Sequence, residues 1–238
     1  MKKKILIFTA TYNEKNVILH FLKRLYKYNK FNFKLLIIDD NSPDLTFKVI
    51  KNFKSSANKN IFIKIRKYKM GLDTAHKFAF NYAKKNNFRY LITLDSDLSH
   101  DPKIIPLFLS KLQNYPVVFG SRYTRGGRND LKGYRFFLSY VGNKLIKFLF
   151  HANINEFTTS FRGFDLEKIK LNFNKIKSRG YSFFMEIAVL LTKQNYNIKE
   201  IPIIFEVRRH GVSKIEKIEV IRTFFNLLRL FKNKILSK

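Results

Sequence analysis

No cysteine occurs among the 238 residues, so neither disulfides nor thiolate metal sites hold the fold, and a reducing compartment is permitted. No apolar run approaches the roughly 18 to 20 residues needed to span a bilayer. The first residues, MKKKILIFTATYNE, lack the long apolar core and small-residue cleavage site of a signal peptide. The expectation is a cytoplasmic protein, peripherally associated with the cytoplasmic face of a membrane. Internal repeats and low-complexity linkers are also missing, and there is no sign of a second catalytic domain.

Acidic side chains are scarce. Against 47 Lys and Arg there are 17 Asp and Glu, a formal net charge of +30. Such a field draws phosphate-rich ligands and anionic lipid surfaces at long range. Lys, Asn, Ile and Phe are all abundant, however, as an AT-rich genome favours, and the basic residues are spread as on a solvated surface. The charge alone therefore identifies no partner. A nucleic-acid-binding protein would need a basic stripe with stacking aromatics; only the net charge and the aromatic content support one, and no nucleic-acid partner is expected. With 45% apolar residues the chain can bury an ample core, as one large α/β domain or one domain plus a small appendage.

What is present is an alternation of apolar runs and helical periodicity. Lys4 to Ala10 reads as a strand ending at Thr11-Tyr12-Asn13-Glu14, after which Ile18, Phe21, Leu22, Leu25 and Tyr26 recur at helical spacing. Lys34 to Asp39 is a second buried strand, followed by Asp40-Asn41-Ser42-Pro43-Asp44 and a helix over Leu45 to Phe53. Ile61 to Ile65 is a third, and Met70-Gly71-Leu72 opens a helix to about Lys85. A fourth starts at Tyr90 and stops at two aspartates, and Asp101-Pro102 then caps another helix. Pro116 to Gly120 is the fifth, ending at Ser121-Arg122-Tyr123. The alternation predicts an α/β fold with a mostly parallel central sheet and helices on both faces. Ligands of such sheets gather beyond the carboxyl ends of the strands. Tyr12 to Glu14, Asp39-Asp40, Asp95 to Asp97 and Arg122 all fall at such ends.

In LDSDLSHDP, Asp95 and Asp97 are two apart, so on extended backbone their carboxylates share a face and can approach one cation. Paired oxygens of this kind suit Mg²⁺ or Mn²⁺, hard ions that take carboxylates plus substrate phosphates and keep some water. Alone, the pattern serves equally as a turn with a capping aspartate. Acids, a metal and an arginine on one rim fit a phosphate-bearing substrate, with carboxylates left for a ribose or base edge.

Gly126 to Gly133, GGRNDLKG, has no apolar periodicity and is expected to be a mobile loop. Arg135, Ser139 and Asn143 fall four apart on one face of a helix that also carries Leu138, Leu145 and Phe148. That face can receive a lipid phosphate, or Arg135 can snorkel from an ordinary amphipathic helix. Asp165 to Ile176 is expected to be helical. Ser182 to Leu191 is an apolar helix with one acid, Glu186, which needs a substrate or a structural Arg or Lys as partner. Glu200 to Val207 is a last strand, and the cationic turn from Arg208 to Lys214 can close over a diphosphate. From about Ile215 to Lys234, Ile218, Ile221, Phe224, Phe225, Leu228 and Phe231 gather on one broad side, flanked by Lys217, Arg222, Arg229 and Lys232. A helix of this composition lies in a membrane interface, or packs on the domain or a partner helix. The expected division is a catalytic domain over residues 1–214 and an amphipathic, basic helix over 215–238.

In order and spacing, TYNE, DDNSPD, DSDLSHDP, GSRY, the Arg135 helix, TSFRGF, SRGYSFFMEI and RRHGVSK resemble the dolichol-phosphate mannosyltransferases. These are the polyprenyl-phosphate branch of the inverting glycosyltransferases with a GT-A fold, here in the form without transmembrane helices. The resemblance covers nearly the whole chain. It implies a Rossmann-like GT-A fold and metal-dependent transfer of mannose from GDP-mannose to dolichyl or polyprenyl phosphate at a membrane surface, giving a β-linked product and GDP. By motif it places Tyr12, Glu14 and Asp39 on the nucleoside, with Asp40 near the ribose. Asp95 and Asp97 would bind Mg²⁺ or Mn²⁺ and the diphosphate, and Ser99 takes a position where some relatives have a metal-coordinating glutamine. Arg122, Arg135 and Ser139 would address the acceptor phosphate. Arg208 or Arg209, with Ser213 and Lys214, would contact the donor diphosphate. A small membrane-anchoring subunit is a further partner that the resemblance allows. The chain departs from the pattern at Ala10, usually proline, at Asp73, a glycine of the usual GLGTA, and at Thr159, in a small-residue segment. None of these touches the metal pair, but Asp73 can alter nucleotide or sugar preference. The alternative within the superfamily is a UDP-sugar donor serving a lipid phosphate or a polysaccharide.

Overall fold

The structure, a computed structural model, describes residues 4–56, 60–206 and 217–235. Strands β1 (Ile5–Thr11), β2 (Lys34–Asp39), β3 (Ile61–Ile65), β4 (Tyr90–Thr93), β5 (Val117–Ser121), β7 (Arg162–Asp165) and β8 (Ile198–Pro202) form one sheet. Their order is β3-β2-β1-β4-β7-β5-β8. Only β7 runs against its neighbours β4 and β5; the other pairs are parallel, as the alternation predicts. Side chains alternate across the sheet. Leu6 and Phe8 of β1 therefore join one apolar cluster, with Ala79 of α3 (Leu72–Lys85) and Phe183 of α6 (Ser182–Lys193). Ile7 joins the other, with Phe21 of α1 (Lys15–Tyr28) and Phe108 of α4 (Ile105–Leu112). Burial on both faces is why these strands read as continuous apolar runs.

The strand order sets the site. Thr11 pairs with Asp39 and Phe8 with Thr93, so the ends of β1, β2 and β4 open on one rim. Because β7 is antiparallel, its start reaches that same rim between β4 and β5, carrying residues 159–161 to it.

Three expectations are corrected. Residues 166–176 hold no α-helix; only a single 3₁₀ turn, Phe173–Lys175, forms there. Ile169, Leu171 and Phe173 are buried while Lys170 and Asn172 are exposed, a period of two that belongs to extended chain. The glycine-rich loop is pinned: β6 (Arg128–Asn129) pairs in parallel with β9 (Ile204–Phe205). At Gly127 a β-carbon would sit 2.5 Å from the Ser121 carbonyl oxygen, so only glycine lets the loop lie against the end of β5. The last strand is split in two, β8 and β9, at Ile203, whose side chain is buried.

Helix α2 (Thr46–Ser56) follows β2 as expected. Helix α5 (Gly133–Phe150) buries Asn143, Ile146 and Phe150, but leaves Tyr134, Phe137, Val141, Leu145 and Phe148 exposed along one side. Helix α7 (Lys217–Ile235) packs on the domain through Leu227 and Leu230 and sets Phe231 edge-on to Phe150 of α5. Its other side, Ile221, Phe224, Phe225 and Leu228, is exposed. Of the readings of that helix, packing on the domain is the one its inner face shows. Among the described residues, no helix is long and apolar enough to cross a membrane.

Candidate functional site

A cleft of about 440 Å³ opens at the rim, walled by Ala10, Tyr12 and Glu14 after β1, Asp40 after β2, Asp95 and Asp97 after β4, and residues 69–73 and 179–181. Tyr12, Glu14, Asp40, Asp95 and Asp97 are thus brought together as the strand ends require. Asp39 is not in the wall. It is fully buried, and its carboxylate accepts hydrogen bonds from Thr11 Oγ1 at 2.9 Å, Ser42 N at 2.9 Å and Ser42 Oγ at 2.6 Å. Here it ties the two loops together, and a nucleoside would meet the neighbouring Asp40 first. Asp40 is itself oriented by Arg66 at 2.7 Å and by the Gly71 amide at 3.0 Å. Gly71 has φ +91°, a conformation that favours glycine. Lys69 places its ammonium 4.5 Å from the centre of the Tyr12 ring.

The acidic pair is held from behind. Asp97 Oδ1 accepts from Ser99 N at 3.0 Å and from Ser99 Oγ at 2.6 Å. Ser99 is 1% exposed and does not line the cleft, so in this structure it orients Asp97 instead of facing a metal. Asp95 Oδ1 accepts from Ser160 Oγ at 2.7 Å. The Asp95 amide donates to His100 Nδ1 at 3.2 Å, which leaves that nitrogen without a proton. Burial pulls the His100 pKa below its ordinary value despite the nearby Asp95 and Asp97, so the ring is neutral and forms no ion pair with Asp95. Among the described residues no group of three or more His, Cys, Asp or Glu forms a metal cage. Two oriented carboxylates at an open cleft suit a hard divalent ion that fills its remaining positions with water and phosphate.

Arg122 is buried and lies in a bidentate pair with Glu156, Nε to Oε2 and Nη2 to Oε1, both at 2.7 Å; Nη2 also reaches Thr158 Oγ1 at 2.7 Å. Burial opposes both charges, but the pairing outweighs it: the guanidinium pKa is raised and the Glu156 pKa lowered. The charge of Asp95 adds a smaller contribution in the same direction on Arg122. Arg122, Tyr123, Tyr140, Asn143, Lys144 and Lys147 are among the residues lining a second recess of about 190 Å³, between the end of β5 and α5. Ser139 Oγ accepts from the Tyr123 hydroxyl at 2.7 Å, so it joins this region. Arg135 is exposed one turn earlier on α5, outside both recesses. Arg208, Arg209, Ser213 and Lys214 lie outside the described residues. Glu186 pairs with Arg229 of α7 at 2.7 Å, which settles it as a structural acid.

Several residues of the site are given no role by the sequence reading. Glu156 reaches Arg122 across 34 positions and Ser160 reaches Asp95 across 65. Arg179 and Arg222 enter the cleft wall from the turn before α6 and from α7. The antiparallel course of β7 delivers the first two, and the packing of α7 the last. Only the fold supplies either.

The sequence profile of Glycosyl transferase family 2 matches residues 6–172, which carry β1 to β7 and both members of the acidic pair. The chain belongs to this family. As a glycosyl transferase of family 2 it is similar, at 25% identity over 228 residues, to a polyprenol monophosphomannose synthase of Mycolicibacterium smegmatis, with 94% of this chain and 86% of that protein covered. It is also similar, at 26% identity over 183 residues, to an undecaprenyl-phosphate mannosyltransferase of Micrococcus luteus, covering 76% of this chain and 75% of that one. These relatives bear out the resemblance to the polyprenyl-phosphate mannosyltransferases. A solved structure of glucosyl-3-phosphoglycerate synthase from Mycobacterium tuberculosis, with Mn²⁺, UDP and glucosyl-3-phosphoglycerate, superposes with a TM-score of 0.68. That match covers 97% of this chain and 81% of the other at 12% identity, and it shows the shared fold.

Proposed function

We propose that this family 2 glycosyltransferase moves mannose from GDP-mannose to a polyprenyl or dolichyl phosphate, releasing GDP. The observation that carries this reading is the position of the basic recess against α5. Lys144 and Lys147 line the recess while Phe137 and Phe148 on the same helix are 63% and 74% exposed. An acceptor with a phosphate head and an isoprenoid tail needs both surfaces together; a small water-soluble acceptor needs only the first. The exposed sides of α5 and α7, among many lysines, also suit a peripheral position on anionic lipid.

Asp95 and Asp97 would hold Mg²⁺ or Mn²⁺ against the donor diphosphate, where the ion, when bound, neutralises the departing charge. Tyr12, Glu14 and Asp40 would face the nucleoside and ribose. The acceptor phosphate would be received by the recess beside Arg122, with Ser139 on its α5 side and Arg135 one turn away on the same helix, outside the recess. One of its oxygens bonds to the anomeric carbon as the bond to the nucleoside diphosphate oxygen breaks, from the opposite face, so an α-linked donor gives a β-linked product. A phosphate monoester is already anionic near neutral pH, so no protein general base is strictly required. Incubation with GDP-mannose, Mn²⁺ or Mg²⁺ and polyprenyl phosphate tests the reading, and lipid-linked mannose is the expected product. Transfer from UDP-glucose alone would overturn the donor, and transfer to phosphoglycerate but not to lipid would overturn the acceptor.

A further inference from the structure

Helix α7 is more than an outer covering. Two of its side chains, Thr223 and Arg229, dock on α6 and on the turn that precedes it. The Thr223 and Ser182 hydroxyls are 3.1 Å apart, and Arg229 Nη2 lies 2.9 Å from Ser178 Oγ and 2.7 Å from Glu186 Oε2. From the other side the Gly180 amide donates to Asp73 Oδ1 at 3.2 Å, fixing the turn to the start of α3. Residues 178–182 are therefore clasped between α3 and α7. Two cations enter the cleft wall as a result, Arg179 from the turn and Arg222 from α7, in the same wall as Asp95 and Asp97. Both lie beyond residue 172, outside the stretch that the family profile matches.

The chemistry of the cleft gives these arginines an occupant. The acidic pair would hold a metal against one side of a diphosphate, and a diphosphate carries more negative charge than one divalent ion neutralises. Planar guanidinium groups match phosphate oxygens two at a time. We propose that Arg179 and Arg222 form a clamp on the donor diphosphate and that α7 is thereby part of the donor site. The proposal rests on the reading of the cleft as a nucleotide-sugar site, but not on which sugar or acceptor is used. Asp73 becomes a residue that positions the clamp through Gly180.

The test is binding by the full chain in Mn²⁺, by calorimetry, of GDP and UDP, and of guanosine and uridine as ligands without phosphate. Arg222→Gln and Arg179→Gln are each expected to weaken the preferred nucleoside diphosphate about tenfold while leaving the nucleoside unchanged. Arg222→Lys, which keeps the charge but loses the fork, is expected to fall between, and it carries the test if Arg222→Gln does not fold. An unchanged diphosphate affinity, or an equal loss for nucleoside and diphosphate, would overturn the clamp. Preference for UDP over GDP would overturn the donor proposed above and leave the clamp standing. A wild-type chain that binds neither diphosphate sinks both.

Discussion

Ser160 donates its hydroxyl to Asp95 Oδ1 at 2.7 Å, and its own carbonyl is held by Thr93 Oγ1 at 2.5 Å. Behind it Arg162, almost wholly buried, donates to the carbonyls of Thr159 and Phe157 at 2.9 Å each. A chain of hydrogen bonds thus runs from the sheet interior to one carboxylate of the acidic pair. Groups that orient a metal's carboxylates are worth roughly tenfold to a hundredfold in metal affinity. Ser160→Ala is accordingly expected to raise the Mn²⁺ concentration needed for half-maximal transfer by about tenfold or more, with a smaller change in rate at saturating metal. Metal titration of turnover checks this, and an unchanged titration curve would remove Ser160 from the site.

Asp97 sits at the other end of the pair, 5% exposed and held by Ser99. Loss of a metal that stabilises a departing diphosphate costs several kcal/mol of the barrier. Asp97→Ala should therefore lower turnover about a thousandfold or more while its circular dichroism spectrum stays that of the wild type. Near wild-type turnover would refute the metal assignment.

Glu156 and Arg122 are both buried, and breaking such a pair from one side leaves an uncompensated charge that costs about 3 to 5 kcal/mol. Glu156→Ala is expected to lose about that much in urea unfolding, and a joint Glu156→Leu, Arg122→Met replacement to lose clearly less. Glu156 is a carboxylate whose pKa in the fold lies below its ordinary 4.5. Its stabilisation is therefore complete above pH 4.5 and is lost as the pH falls through the lower, folded value. The single variant should lack this portion of acid sensitivity.

The fold was legible in the sequence because both faces of the sheet are covered, so β1, β2, β4 and β5 announce themselves as continuous apolar runs. The rim residues followed from the rule that parallel strands present their carboxyl ends together, and Tyr12, Glu14, Asp40, Asp95 and Asp97 are gathered there. The errors have physical causes. Ile169, Leu171 and Phe173 carry a period of two that a helix reading overlooked, and a two-residue ladder such as β6 with β9 has no periodicity to detect. Apart from these errors, Asp39 and Ser99 are found buried and engaged by neighbours, an environment that their composition does not reveal. Partners separated by tens of residues, such as Glu156 with Arg122, depend on strand order.

His76 on α3 is buried edge-on to Phe8 at 4.9 Å and Phe184 at 4.8 Å. Burial, helped by the charge of Arg162, pushes its pKa down from 6.5 to about 3. Below pH 6.5 the unfolded chain takes up this proton and the folded chain does not until about pH 3, so stability falls with acidification over that window. The first pH unit of that window costs about 1 kcal/mol. His76→Leu is expected to flatten the dependence of the urea midpoint on pH between about 6.5 and 5, relative to wild type. Parallel curves would show that the proton is taken up elsewhere.

The exposed sides of α5 and α7 carry the last expectation. Phe137 and Phe148 on α5 and Phe225 on α7, at 64% exposure, project away from the core, and Phe150 and Phe231 join the two helices beneath them. A buried phenylalanine side chain contributes about 2 kcal/mol when removed from water, so each ring that enters a lipid interface strengthens binding severalfold to tenfold or more. Phe137→Ser, Phe148→Ser and Phe225→Ser should each weaken sedimentation with vesicles of phosphatidylglycerol and phosphatidylcholine. Their unfolding midpoints should stay near wild type, because none of these rings belongs to the core. Added salt should weaken binding further, since the lysines around the rings contribute a screened attraction. If the three variants sediment as the wild type does, these faces do not meet lipid, and the acceptor must reach the recess from solution.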